Sequence, residues 1–289
     1  MDTAVFSVVY PGIEDYFTDF LDSLSKQTDT DFTLFLINDG LLNINYFSKR
    51  FDLDLKIKDA TAPPTALRKM GINWVMETGA KKIIFADMDD YFAENRVEIS
   101  RNILDNYDFV FNELILCGQD YNNTIRLLES HFDDGEVITC KRIMTSNCMG
   151  LSNTAIKAKS ITRYIERIPE YIIAFDWALF ALHLHDGAKG VFTNKTATHY
   201  RQHGNNLAAL FSLEEEQILL GVQVKRDHYE LLSRYYKEYV RLANHFKDLL
   251  VRLRSDSQLR KRYCRAVRKH SPRLPLWWES IKSLEEVGL

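Results

Sequence analysis

Ile83-Ile84-Phe85-Ala86-Asp87-Met88-Asp89-Asp90-Tyr91-Phe92 is an apolar run that ends in three carboxylates spaced D-x-D-D. A short continuous apolar run implies a buried strand, and the acids that follow crowd like charge where folding gains nothing from it. Two carboxylates sharing a site push one pKa up, whereas a bound cation reverses that logic. The spacing therefore predicts a divalent cation site at a strand end. Hard oxygen donors suit Mg²⁺ or Mn²⁺, which keep several waters and bind through one or two carboxylates plus the phosphates of a substrate. That combination points towards a nucleotide. The competing reading is a solvated acidic turn, since loops commonly follow strands and carry charge.

Outward from this stretch, apolar runs at residues 5 to 10, 32 to 37, 55 to 57 and 83 to 86 alternate with helical patterns at 15 to 24 and 66 to 76. This rhythm predicts a mostly parallel sheet with helices on its faces, whose ligands sit beyond the carboxyl ends of the strands. The loops expected there are Tyr10-Pro11-Gly12, Asn38-Asp39-Gly40 and Asp87-Met88-Asp89-Asp90, converging on one crevice. Further strands are expected at 109 to 116 and around 148 to 151, with helices at 94 to 104 and 174 to 184. From residue 213 onward Ile218, Val222, Tyr229, Leu232, Tyr236, Tyr239, Ala243, Phe246, Leu250 and Leu253 draw one helical apolar stripe. Gly221 and Ser233 are expected breaks, and Pro272 and Pro275 close the helical region. The chain thus reads as an α/β domain, residues 1–212, followed by a helical basic extension, residues 213–289.

At 289 residues, 46% hydrophobic and 27% charged, the chain can bury a substantial core and is neither disordered nor fibrous. The cysteines Cys117, Cys140, Cys148 and Cys264 form no C-x-x-C pair, which suits reduced thiols in a cytosolic compartment and disfavours structural zinc. The first residues lack a basic leader pattern, and no apolar run is long enough to span a bilayer. The net charge of -3 conceals an asymmetry: residues 214 to 289 hold 16 basic and 11 acidic side chains. Such a shift suggests an anionic partner or a solvated helical face.

No G-x-x-x-x-G-K-[ST] loop and no G-x-G-x-x-G turn occurs, which disfavours P-loop and dinucleotide sites. An aspartyl-phosphate phosphatase would also place D-x-D after a strand, but near the N-terminus and followed by Thr or Val. Several separate segments instead resemble the glycosyltransferase family 2 group of GT-A-fold enzymes, over most of residues 4 to 207. They are Phe6-Ser7-Val8-Val9-Tyr10-Pro11, Ser23-Leu24-Ser25-Lys26-Gln27-Thr28, Leu36-Ile37-Asn38-Asp39-Gly40, Ala66-Leu67-Arg68-Lys69-Met70-Gly71-Ile72, Phe85-Ala86-Asp87-Met88-Asp89-Asp90, Ala174-Phe175-Asp176-Trp177 and Tyr200-Arg201-Gln202-His203-Gly204-Asn205-Asn206. Departures are Asn38 for the first Asp of D-D-G-S, Leu41 for its Ser, Lys69 for Asn and Phe175 for the Glu of E-D-W.

The resemblance implies an inverting, metal-dependent transfer of a sugar from a nucleotide sugar. Asp176 is the implied general base. Tyr10, Pro11, Asp39, Arg68 and Asp87 are implied on the nucleotide, with Asp39 accepting from the N3–H of uracil or thymine and Tyr10 either stacking on the base or buried in the core. Asp89, with Asp87 or Asp90 assisting, holds Mn²⁺ or Mg²⁺, and His203 coordinates the metal or the diphosphate. Trp177 is expected as an acceptor platform and Arg201 as a phosphate contact.

The tail holds Arg252, Arg254, Arg260, Lys261, Arg262, Arg265, Arg268, Lys269 and Arg273, then Leu274-Pro275-Leu276-Trp277-Trp278. It reads either as a peripheral anchor on an anionic membrane face, serving a lipid-linked acceptor, or as an interhelical or homodimer-forming extension. Nothing beyond charge points to nucleic acid. The expectations are thus a cytoplasmic enzyme, possible peripheral contact with the inner membrane face, and a role in surface polysaccharide or lipopolysaccharide assembly. A sugar-1-phosphate nucleotidyltransferase lacks its Gly-rich loop here, and a silent scaffold of the same fold is the reading from another class.

Overall fold

The computed structural model describes residues 2–12, 14–118, 121–203 and 214–289. Among them, ten strands form one mixed sheet with helices on both faces, as the alternating pattern predicts. Strands β1 (Thr3–Val9), β2 (Thr33–Asn38), β3 (Leu55–Asp59) and β4 (Lys82–Phe85) lie in the order β3-β2-β1-β4, all parallel. Burial on both faces explains the apolar runs of β1, β2 and β4, whereas the edge strand β3 alternates Leu55-Lys56-Ile57-Lys58 and is largely exposed. Beyond β4 the sheet continues through β9 (Thr154–Lys157), β6 (Phe109–Gly118), β10 (Gly190–Gln202) and β5 (Tyr91–Phe92). Here β9 is antiparallel to β4 and β6, while β10 runs parallel to β6. The short β7 (Tyr121–Arg126) and β8 (Val137–Ile138) pair with β6 and β10.

Helices α1 (Glu14–Ser25), α3 (Pro64–Glu77), α4 (Arg96–Ile103) and α6 (Phe175–His185) occupy the expected stretches; α2 (Ile44–Ser48) and α5 (Ala158–Ile165) are additions. Local chemistry fixes their ends. Pro64 opens α3, where its missing N–H costs nothing. Gln27 joins two helices: its Nε2 donates to Ser23 O and Ala93 O, and its Oε1 accepts from the otherwise orphaned Val97 N–H at the start of α4. The strand expected at 148 to 151 is instead irregular, and β9 begins at Thr154. Residue Asn147, just before, forms a lone antiparallel bridge with Trp277.

The C-terminal region is helical as expected, in α7 (Glu215–Ser233), α8 (Val240–Ser255) and α9 (Ser257–His270). Ser233 ends α7, whereas Gly221 does not break it. A Cβ at Gly221 would lie 2.6 Å from Ile281 Cγ1, so this glycine admits the returning C-terminal segment against the helix. Asp256 caps α9, accepting from Gln258 N and Leu259 N. The stripe residues Ile218, Val222, Tyr229, Leu232 and Leu253 are buried in the same apolar cluster as Phe6, Phe85 and Phe111 of the sheet. The boundary at 212/213 lies outside the described residues.

Close approach of α3 to β1 positions the loops that follow both. A Cβ at Gly71 would lie 2.1 Å from the Phe6 ring. Gly71→Ala should therefore destabilise the protein by about 1–3 kcal/mol through overpacking, although Ala is the better helix former; urea denaturation measures it, and unchanged stability would contradict the packing argument.

Candidate active site

The carboxyl ends of β1, β2 and β4 open into one cavity of about 460 Å³, lined by Tyr10, Asp39, Arg68, Asp87, Asp89 and Asp176 among others. They arrive from five segments, Asp87 and Asp89 sharing the loop after β4. Tyr10 follows β1 and its backbone N–H donates to Met88 Sδ at 3.1 Å. Asp39 follows β2, its N–H donating to Val9 O at 2.8 Å. The Asn38 side chain, where the resemblance expects Asp, builds the turn instead: it donates to Asp59 Oδ1 and accepts from Leu41 N, while Leu41 is buried. Pro11 is exposed in the turn after Tyr10 and does not line the cavity.

Arg68 projects from α3. Two bonds fix this helix against the segment leading to α6: Thr65 Oγ1 donates to Ile172 O at 2.6 Å and Lys69 Nζ to Ile168 O at 3.2 Å. The departure at Lys69 thus has a structural role. Asp176 lies in the first turn of α6, its Oδ1 accepting from Trp177 N at 2.7 Å. Burial raises its carboxyl above the ordinary range and the Arg68 guanidinium draws it back. Phe175, in place of Glu, is buried in the core.

The acidic loop is divided in function. Burial and the Asp89 charge raise Asp87, while Arg68 opposes them. Asp89 Oδ2 lies 2.9 Å from His203 Nε2. Asp90, expected on the metal, turns inward and does not line the cavity: its Oδ2 accepts from Ser152 Oγ and its Oδ1 from the Arg201 backbone N–H. Its carboxyl is raised by burial and by Asp89 and Asp87. Behind the loop, buried Arg96 donates to Phe85 O at 2.6 Å and to Asn112 Oδ1, and lies 4.3 Å from the Phe92 ring centroid. Burial lowers Arg96 to about 9, with Asp90 and Asp87 acting to keep it charged. No sequence motif marked Arg96 or Ser152, and only tertiary proximity shows what they do.

Two expected contacts fall elsewhere. Trp177 is fully buried, its Nε1 donating to Ile143 O at 2.7 Å and its ring stacked 3.8 Å from His228, so it offers no face to an acceptor. The Arg201 guanidinium pairs with Asp19 at 2.9 Å, lies 4.1 Å from the Tyr16 ring centroid and does not line the cavity. Gly204, Asn205 and Asn206 lie outside the described residues. Trp277 and Trp278, expected either at a membrane surface or in an interhelical or dimer-forming extension, line the cavity with Tyr200. Trp277 is buried and Trp278 half-buried there, turned towards the cavity, while Lys261, Arg262, Arg265 and Lys269 are exposed on α9 and Arg260 pairs with Glu215. No described helix is long and apolar enough to cross a membrane, and all four cysteines are free.

Among the described residues no group of three or more His, Cys, Asp and Glu side chains is arranged to hold a metal ion. The donor set nevertheless suits Mg²⁺ or Mn²⁺ bound partly through a diphosphate, which needs only one or two protein carboxylates: Asp89 beside His203, with Asp87 in the same cavity.

No protein-family model and no curated protein matches the chain; its likenesses are structural. S. aureus TarS 1-349 in complex with UDP aligns at a TM-score of 0.60 and 17% identity, over 90% of this chain and 73% of that one. Its complex with UDP-GlcNAc aligns at 0.59 and 18%, over 92% and 88%, and this chain spans 55% of a longer TarS structure. The mannosyltransferase PcManGT from Pyrobaculum calidifontis, solved with GDP-Man and Mn²⁺, aligns at 0.56 and 13%, over 86% and 69%. The chain has the GT-A fold of these structures.

The division of the acidic loop is testable. Asp90→Ala leaves the Ser152 hydroxyl and Arg201 N–H without their acceptor and should cost about 1–3 kcal/mol of stability. Asp89→Ala should leave the melting temperature nearly unchanged and abolish Mn²⁺ binding followed by electron paramagnetic resonance in the presence of UDP. The reverse pattern would contradict the assignment.

Proposed function

We propose that the protein is a family 2, metal-dependent inverting glycosyltransferase that moves a sugar from a UDP-sugar to a hydroxyl of a glycan or lipid-linked acceptor. The observation that carries this reading is the convergence of Asp39, Arg68, Asp87, Asp89 and Asp176, from four separate segments, on one cavity at the strand ends. Structural likeness to TarS bound to UDP-GlcNAc and to a mannosyltransferase bound to GDP-Man supports it. In this reading residues 1–212 are the catalytic domain and 213–289 the helical extension. The setting is cytoplasmic surface-polysaccharide or lipopolysaccharide assembly, with the basic face of α9 touching an anionic membrane surface or a second copy.

The mechanism follows from the charges. Asp39 accepts from the N3–H of uracil, and a buried acceptor left unpaired costs about 1–3 kcal/mol, which disfavours cytosine. Tyr10 lies against the base and Arg68 against the phosphates. Asp89 and His203, with Asp87, would hold Mn²⁺ or Mg²⁺, which supplies neutralisation of charge on the departing diphosphate. Asp176 takes the proton of the acceptor hydroxyl as that oxygen, held within about 3.5 Å of the anomeric carbon, attacks opposite the leaving group. The raised Asp176 carboxyl then favours proton uptake, and the configuration inverts.

A base with a raised pKa is active only where it is deprotonated, so transfer should fall as pH drops through that pKa. Arg68 lowers it, hence Arg68→Gln should move the acid limb of the kcat profile, at saturating donor, to higher pH. Asp176→Asn should retain UDP affinity within about twofold and lose about 10²–10⁴ in transfer. An Asp176→Asn enzyme of wild-type rate would refute the assigned base and point to another catalytic carboxylate, whereas folded wild-type protein that binds UDP but transfers no sugar would favour a nucleotide-binding scaffold.

A further inference from the structure

The C-terminal segment returns to the cavity in a form more constrained than a tail requires. The Trp277 backbone exchanges hydrogen bonds with Asn147 at 2.9 and 3.0 Å, and its Nε1 donates to the Tyr200 hydroxyl at 3.3 Å. Its ring lies over Gly150, where a Cβ would stand 3.1 Å from Cη2. Trp278 then adopts φ 66°, a left-handed conformation rare for a bulky residue. The surroundings impose it: Glu279 Oε2 accepts from Leu276 N, Ile281 N donates to Trp278 O, and Lys225 Nζ on α7 donates to Ile281 O at 2.8 Å. Such strain persists where neighbours over-determine it, and it clusters at ligand clamps. Its result here is a half-buried indole lining the cavity that holds Asp176.

Position in the sheet assigns a side. Tyr10 and Asp39 follow β1 and β2, whereas Trp277 rests on Tyr200 of β10 and on Gly150, which precedes β9. The tryptophans therefore face the half of the cavity away from the expected nucleobase. We infer that Trp278, braced by Trp277, is the stacking wall for a pyranose ring of the acceptor, and so determines acceptor specificity. A pyranose presents an apolar C–H face that an indole covers, while its rim hydroxyls stay free for polar partners. Trp278 thereby takes the role that Trp177, buried under His228, does not fill.

This inference rests on the glycosyltransferase reading, and the experiment separates the two. The full chain is labelled with 5-fluorotryptophan and the Trp278 fluorine resonance assigned by Trp278→Phe. UDP with Mn²⁺ is added first, then methyl β-D-pyranosides of glucose, galactose and N-acetylglucosamine. A pyranoside should move the Trp278 resonance saturably in the UDP-loaded protein, and in calorimetric titration of the same pyranoside Trp278→Ala should weaken binding tenfold or more with UDP affinity and melting temperature unchanged. If UDP binds but no pyranoside moves the resonance, or UDP alone moves it, or Trp278→Ala binds pyranoside normally, the acceptor wall is wrong. If folded protein binds no UDP, the underlying function falls and the inference with it.

Discussion

Three carboxylates within four residues, at the mouth of one buried strand, repel one another, and much of the surrounding structure answers that repulsion. Arg96 lies behind them in the core, Arg68 reaches across from α3, and Asp90 is turned inward onto the Ser152 hydroxyl and the Arg201 N–H. Burying a cation such as Arg96 is unfavourable unless it is paired and hydrogen-bonded, and here the acids and two carbonyl acceptors supply both. Satisfying the Asp90 oxygens internally leaves Asp87 and Asp89 at the cavity, where a divalent cation and a diphosphate would complete the balance.

The same arrangement ties distant parts of the chain to one loop. Ser152 precedes β9, Arg201 lies on β10, and Tyr200 beside it carries Trp277 of the C-terminal segment. Helix α3 is fixed to the segment before Asp176 through Thr65 and Lys69. Geometry at the acidic loop therefore reaches the aromatic wall through short hydrogen-bonded steps, and the expected base through the Arg68 charge that acts on both Asp87 and Asp176.

Legibility followed the range of the signal. Residues Tyr10, Asp39, Asp87 and Asp89 each follow a buried strand directly, so apolar run and polar break together placed them. Asp90 has the same local signal as Asp89, and only the partners at Ser152 and Arg201 separate their roles. Trp177 follows Asp176 at a helix start, but tertiary packing decided which face of the helix it took. Strand β10 stayed hidden because Thr193-Asn194-Lys195-Thr196 interrupts its apolar pattern at a register shift. A basic helix followed by Trp277-Trp278 carries one pattern for a membrane surface and for a folded-back wall; the bridge to Asn147, 130 positions away in sequence, distinguishes them.

The central claim is a nucleotide site completed by a cation at Asp39, Arg68 and Asp89. Calorimetric titration of UDP with Mn²⁺ and then with EDTA, beside GDP and CDP, tests it most directly. The account predicts binding that is selective for UDP and lost with EDTA; well-folded protein that binds no nucleotide, or binds all three alike without metal, would contradict it.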